Sequence, residues 1–244
     1  VDLAYLAAPN KTSHDISSMT PALITVKLEG EHFNPKNVVI IKEWLKRSDA
    51  VIMGPGLGLH EETVEAVRKA VDVVEEAKKP LLLDADALKA FASFKHEVDF
   101  PLIFTPHSRE FEILTGEALP KKLRDRIECV QHAAKALNAV VLLKGPVDIV
   151  SDGARIKLNL THNVGMTVGG TGDVLSGIVG AFLAQGFDPF RSAVAGAFVN
   201  GAAGDFVAQK IGYHMIPTDL IKWIPKVIDD PMSHLKVRKT DGKS

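Results

Sequence analysis

Cysteine is nearly absent from this chain: Cys129 stands alone among 244 residues. One thiol closes no intramolecular disulfide and builds no thiolate metal cluster, and such scarcity fits a reducing, cytoplasmic setting. Net charge is almost absent too. Twenty-nine Lys and Arg against 30 Asp and Glu leave −1 with His neutral, which gives no reason to expect a nucleic-acid partner or a membrane surface. Long apolar runs are missing as well. Asp188 and Arg191 break the best candidate before it reaches the roughly 18–20 residues that a membrane span needs. No secretory signal is visible.

What is present is 46% hydrophobic and 24% charged, the usual balance of a packed soluble protein. The length suits one large α/β domain or two small ones. With no repeat and no interdomain linker in view, one domain is expected over residues 1–233. The tail HLKVRKTDGKS, residues 234–244, reads as flexible. The chain opens at Val1 in strand-like sequence, so its natural start is expected upstream.

Apolar runs and helical periodicity alternate. The pattern predicts strands around Leu3–Ala7, Ala50–Met53, Pro80–Asp84, Leu102–Thr105 and Ala139–Lys144. Helices are predicted near Pro35–Arg47, Glu61–Ala77, Ser108–Leu114, Lys121–Leu137, Gly172–Gln185, Pro189–Lys210 and Thr218–Ile228. Runs such as LLLDAD and VVLLKG lack alternation, the mark of strands covered on both faces. The expectation is a three-layer α/β/α, doubly wound, mostly parallel sheet. Asp152-Gly153 within Val147–Leu160 predicts a hairpin, hence an antiparallel edge. The Gly- and Ala-rich helices after Gly172 should pack closely.

Ligands of such sheets bind beyond the carboxyl ends of the strands. GPGLG (Gly54–Gly58), DAD (Asp84–Asp86), TPHSRE (Thr105–Glu110) and Lys144-Gly145 all fall there. Gly169-Gly170-Thr171-Gly172 then opens a helix whose free N–H groups and positive dipole end suit a phosphate. It is not a Walker loop, since no GKS or GKT follows. Instead Asp173 comes next. That carboxylate would be a simple helix-start preference, or it would be a base taking a proton from a hydroxyl while the glycine amides stabilise a transferring phosphoryl group. In the second case Mg2+ would offset the crowded negative charge. Asp84 and Asp86 are candidates for ligand or Mg2+ contact, Asp86 alternatively for capping the next helix. Gly54, Gly56 and Gly58 would let a ligand approach the backbone, or would serve a turn at positive φ. His107 would meet substrate or pair with Glu110 one turn on. Lys144 ends a buried strand, and its charge needs a phosphate or a carboxylate. Cys129 reads as inert packing in an amphipathic helix.

The pattern N-x-G-M-x-x-G-G-T-G-D-V-L-x-G over Asn163–Gly177 resembles the ribokinase-like superfamily. Together with GPGLG, LLLDADAL, FTPHSREFEILTG and LLKG, it more narrowly resembles the ADP- or ATP-dependent NAD(P)H-hydrate dehydratases. In many organisms these form the C-terminal half of a bifunctional repair enzyme. The resemblance implies phosphorylation of the ring hydroxyl of (S)-NADHX or NADPHX by ADP or ATP, then elimination of phosphate to give NADH or NADPH. It implies Asp173 as the catalytic base. By the same correspondence ADP or ATP would meet Lys144, Gly145, Pro146, Val147, Asp148, Asn163, Gly165, Met166, Thr167, Gly169, Gly170, Thr171 and Gly172. The hydrate would meet Gly56, Gly58, Asp84, Asp86, His107, Glu110 and Asp173. A homo-oligomer and a fused or separate epimerase are further expectations. The family's glycine-rich opening is missing, PVD follows Lys144-Gly145 where a small residue and Thr are common, and Asn200-Gly201 replaces the more common His-Gly. The alternatives are a ribokinase-like kinase of a vitamin-precursor alcohol, of the hydroxymethylpyrimidine or hydroxyethylthiazole type, and a non-catalytic nucleotide sensor.

Overall fold

The computed structural model describes residues 1–20, 22–94 and 97–241. Its main sheet has six strands: β3 (Val51–Met53), β4 (Leu81–Leu83), β5 (Leu102–Phe104), β6 (Val140–Leu143), β7 (Asp148–Ser151) and β8 (Ile156–Asn159). They lie in chain order. The first four are parallel, and β6–β7–β8 are antiparallel, closed by the Asp152-Gly153 turn. The expected edge hairpin is there.

Alternation within the strands explains the layers. Leu81, Leu83, Leu102, Phe104, Val141 and Leu143 pack against α3 (Glu61–Glu76), α4 (Ala85–Ala92), α5 (Ser108–Thr115) and α6 (Leu123–Ala136). Their neighbours Leu82, Ile103, Val140 and Leu142 face α7 (Thr171–Ala184) and α8 (Pro189–Ile211). Every position on these strands is apolar because both faces are covered. Each such side chain contributes roughly 1.5–3 kcal/mol on leaving water. The two glycine-rich helices approach closely, as expected. A Cβ on Gly196 would lie 2.3 Å from Val179 Cγ2, and one on Gly180 2.2 Å from Ile52 Cδ1.

Several elements depart from the sequence reading. The strand expected at Leu3–Ala7 runs Tyr5–Pro9 (β1) and pairs in parallel with Ile24–Leu28 (β2) in a separate two-stranded sheet. Between them lies an unanticipated helix, α1 (Asn10–Met19), whose sequence is too polar to show a helical stripe. The helix expected at Pro35–Arg47 begins as a 3-10 turn, Pro35–Asn37, and continues as α2 (Val38–Leu45). The one expected at Thr218–Ile228 is two short helices, α9 (Pro217–Ile221) and α10 (Ile224–Asp229). Pro225 sits in the first turn of α10, where its missing N–H removes no helical bond. Within the tail expected to be flexible, His234–Asp241 forms a helix, α11. His234 and Val237 are buried, and Val237 joins the cluster of Phe206, Leu220 and Val227 on the outer side of α8. Residues 242–244 lie outside those described.

No described helix is long and apolar enough to cross a membrane.

Candidate active site

The carboxyl ends of β3, β4, β5 and β6 bring the predicted segments to one edge. Gly54 follows β3 at φ 143°, and a Cβ there would sit 1.8 Å from the Asp84 carbonyl oxygen. Only glycine allows these two strand ends to touch. Gly56 and Gly58 have φ of 72° and 74°, with nothing within 4 Å of an added Cβ. Their turn therefore fixes the residue type, and the space over them is open.

Asp84 caps α4 and is 1% exposed. Oδ1 accepts from the Ala85 amide and from Lys144 Nζ, both at 2.9 Å, and Oδ2 accepts from Ser176 Oγ at 2.7 Å. Ala85 is held at φ 47°, a left-handed conformation costing a non-glycine residue roughly 1–3 kcal/mol. The cap and the ion pair over-determine that turn. Lys144 therefore finds a carboxylate within the chain. Its Nζ is also 3.8 Å from Glu110 Oε2 and would be 3.4 Å from a Cβ on Gly172, so it stands beneath the start of α7.

His107 and Glu110 form a reciprocal cap on α5. The Glu110 amide donates to His107 Nδ1 at 3.2 Å, and the His107 amide donates to Glu110 Oε2 at 3.0 Å. Glu110 is buried, whereas the His107 side chain is 52% exposed, with Nε2 3.4 Å from Glu110 Oε1. Asp86 does not cap α4. It accepts from the Gly58 amide and from Lys89 Nζ, each at 2.9 Å, and so ties the GPGLG turn to α4.

On the other side, Asp148 accepts from the Gly145 amide at 3.0 Å and from Asn159 Nδ2 at 2.9 Å. This fastens the turn through Pro146 and Val147. Burial raises the Asp148 pKa, against the lowering effect of the Asn159 and Gly145 hydrogen bonds. The glycine-rich loop begins with a 3-10 turn, Val164–Thr167, capped by Asn163, whose Oδ1 accepts from the Gly165 amide at 3.0 Å. The Thr171 hydroxyl donates back to the Met166 carbonyl at 2.8 Å. Gly170 adopts φ 95° at the cap of α7, and the first bonds of that helix run from the Asp173 and Val174 amides to the Gly170 carbonyl. The amides of Thr171 and Gly172 are thus at the open, positive end of the helix. Gly169 has nothing within 4 Å of an added Cβ.

Asp173 sits in that first turn with an exposed side chain. No described group hydrogen-bonds its carboxylate. The surrounding protein removes part of its water and raises its pKa. The nearby Asp84 charge adds to the shift, and the Lys144 ammonium opposes it. A carboxylate beside an amide-lined turn, unpaired and with raised proton affinity, is equipped to take a proton from a bound group.

The model of the NAD(P)H-hydrate dehydratase family matches residues 1–226. The chain belongs to this family. It is 43% identical over 228 residues to the bifunctional NAD(P)H-hydrate repair enzyme Nnr of Pyrobaculum aerophilum, a match covering 93% of this chain and 45% of that protein. The chain thus spans about half the length of such bifunctional relatives. The ADP-dependent (S)-NAD(P)H-hydrate dehydratase of Nitrosopumilus maritimus is 35% identical over 230 residues, 93% of this chain and 78% of that one. Among solved structures, the ADP/ATP-dependent NAD(P)H-hydrate dehydratase of Bacillus subtilis, crystallised with ATP and Mg2+ and soaked with CoA, superposes at a TM-score of 0.72. It is 26% identical, over 91% of this chain and 78% of that one.

Within this dehydratase fold, some partners escaped the sequence reading. Ser176 lies one turn after Asp173, so helical spacing could have flagged it as sharing that face. Asp205 and His234 could not be linked by spacing. His234 Nε2 is 2.7 Å from Asp205 Oδ2, and Asp205 Oδ1 accepts from Asn163 Nδ2 at 3.0 Å. The C-terminal helix thereby braces the glycine-rich loop. Asn200 donates at 3.5 Å to the Thr171 carbonyl while its buried Oδ1 has no hydrogen-bond partner among the described residues; nothing in the structure explains why Asn stands there.

Proposed function

We propose that this chain dehydrates (S)-NADHX or NADPHX using ADP or ATP. The ring hydroxyl attacks the terminal phosphorus of the nucleotide as Asp173 accepts its proton. AMP or ADP leaves, and the hydroxyl becomes a phosphate ester. Phosphate then departs with the C–O bonding pair, loss of a ring proton restores the double bond, and NADH or NADPH is released. The observation that carries this reading is the unpaired Asp173 carboxylate beside the amides of Gly169–Gly172. Developing charge on a phosphoryl group would rest on those amides, which are already oriented and need no reorganisation.

Asn163, Gly165, Met166, Thr167, Gly169, Gly170, Thr171 and Gly172, with Lys144–Asp148 opposite, form the nucleotide side. Gly56, Gly58 and His107 line the hydrate side, where open space and a half-exposed imidazole are present. Asp84, Asp86 and Glu110 hold this frame, since their oxygens are already engaged by the chain. Mg2+ fits in one form. With Asp84 occupied, Asp173 is the carboxylate in reach, so a hard cation would be held chiefly by nucleotide phosphates and water. When bound it neutralises phosphate charge. The one described group of three His, Cys, Asp or Glu side chains close enough to share an ion is His32, His60 and Glu62 at the start of α3, apart from this set. An epimerase, fused or separate, would supply the S form of the hydrate.

The test is direct. Purified protein is incubated with the hydrate and ADP or ATP, and regenerated NAD(P)H is followed by absorbance. Recovery dependent on nucleotide is expected. No recovery with either nucleotide, together with stable phosphorylation of a vitamin-precursor alcohol, would make the chain a kinase instead.

A further inference from the structure

Arg126 has no part in the chemistry described so far, yet it stands at the same edge. It lies in the first turns of α6, the helix that leads into β6. Its Nη2 is 3.4 Å from Ser108 Oγ, a long contact to a neutral hydroxyl, and would be 3.5 Å from a Cβ on Gly145. The guanidinium is thus wedged between the segment that starts at His107 and the one that starts at Lys144. Its Nε is buried and has no acceptor among the described residues. No ion pair to a described carboxylate holds it either.

A guanidinium is always charged and carries five donors in a planar fork. Buried donors are nearly always satisfied, so an orphan at a cleft edge points to an absent acceptor. The other cation nearby, Lys144, is already paired with Asp84. Ser108 and the Gly145 turn leave the fork open between them, and no carboxylate of the described residues fills it. The acceptor that matches a fork in geometry and charge, in a cleft proposed to take two phosphorylated molecules, is a phosphate. We infer that Arg126 is a phosphate-binding residue of this cleft. It grips either the adenine nucleotide or the pyrophosphate of the hydrate, a distinction that rests on the function proposed above.

The experiment measures binding without turnover. ADP and, separately, NADPH as an unreactive stand-in for the hydrate are titrated calorimetrically into wild type, Arg126→Ala and Arg126→Lys, with melting temperatures recorded for each. Arg126→Ala should weaken one or both ligands by about tenfold or more at unchanged melting temperature, with Arg126→Lys in between because an ammonium cannot bind bidentately. The ligand that weakens identifies the phosphate held. In steady state its KM should rise while kcat stays within about threefold. Affinities for both ligands within about twofold of wild type, or losses that accompany a lowered melting temperature in both variants, would overturn the inference. Failure of wild type to regenerate NAD(P)H would refute the proposed reaction yet leave this binding result readable.

Discussion

Asp84 and Asp173 both feel the Lys144 charge, but the chain treats them in opposite ways. Asp84 is buried and holds three donors, Lys144, Ser176 and the Ala85 amide. Asp173 reaches solvent and holds none among the described residues. The first is a brace. It joins β4 to β6 and to α7, and it stabilises the left-handed turn at Ala85. The second is left with its lone pairs free and its proton affinity raised, in part by the charge of the first. A carboxylate's use is thus set by what its neighbours leave open, not by its place at a strand end or helix start.

Four perturbations break or sharpen this contrast. Asp173→Asn should lower kcat by about a thousandfold, while its melting temperature and nucleotide affinity match wild type. An unchanged rate would assign the proton to another acceptor. Asp84→Asn should show the reverse emphasis, losing about 3 kcal/mol in denaturant unfolding because a largely covered ammonium loses its partner. A midpoint equal to wild type would deny the brace. His234→Ala should cost about 1–2 kcal/mol by removing one buried hydrogen bond to Asp205, and it should raise the nucleotide KM more than it lowers kcat. A pure kcat effect would contradict bracing of the Asn163 loop.

The smallest effect is in pH. As the proposed base, Asp173 would act in its carboxylate form, so activity should fall as pH drops through its raised pKa. The acid limb of kcat should therefore lie above the ordinary Asp value of about 3.9. Asp84→Asn removes one cause of the shift and should move the limb downward. A limb that stays put in that variant would mean the two carboxylates are not coupled.

Much of this was legible in sequence. Buried runs such as Leu81–Leu83 and Val140–Leu143 read as strands covered on both faces, and the glycine-rich stretch before Asp173 read as a helix start, as the structure has them. The strand-end segments were found because parallel sheets put their ligands there. What was not legible depended on long-range partners. Lys144 could have met a phosphate or a carboxylate; only the fold selects Asp84, 60 residues away. His107 and Glu110 showed their spacing but not their reciprocal cap. The polar tail looked unable to pack, yet one imidazole reaching a buried Asp205 and one valine in the α8 cluster dock it. Helix α1 was hidden by its polarity.

The measurement that bears most directly on the central claim is a rapid-quench single turnover with labelled nucleotide and hydrate, comparing wild type with Asp173→Asn. Wild type should transfer the terminal phosphoryl group to the hydrate before NAD(P)H appears. The variant should bind both molecules and transfer almost none. Phosphoryl transfer at the wild-type rate in Asp173→Asn would contradict the account, because the hydroxyl would then lose its proton without that carboxylate.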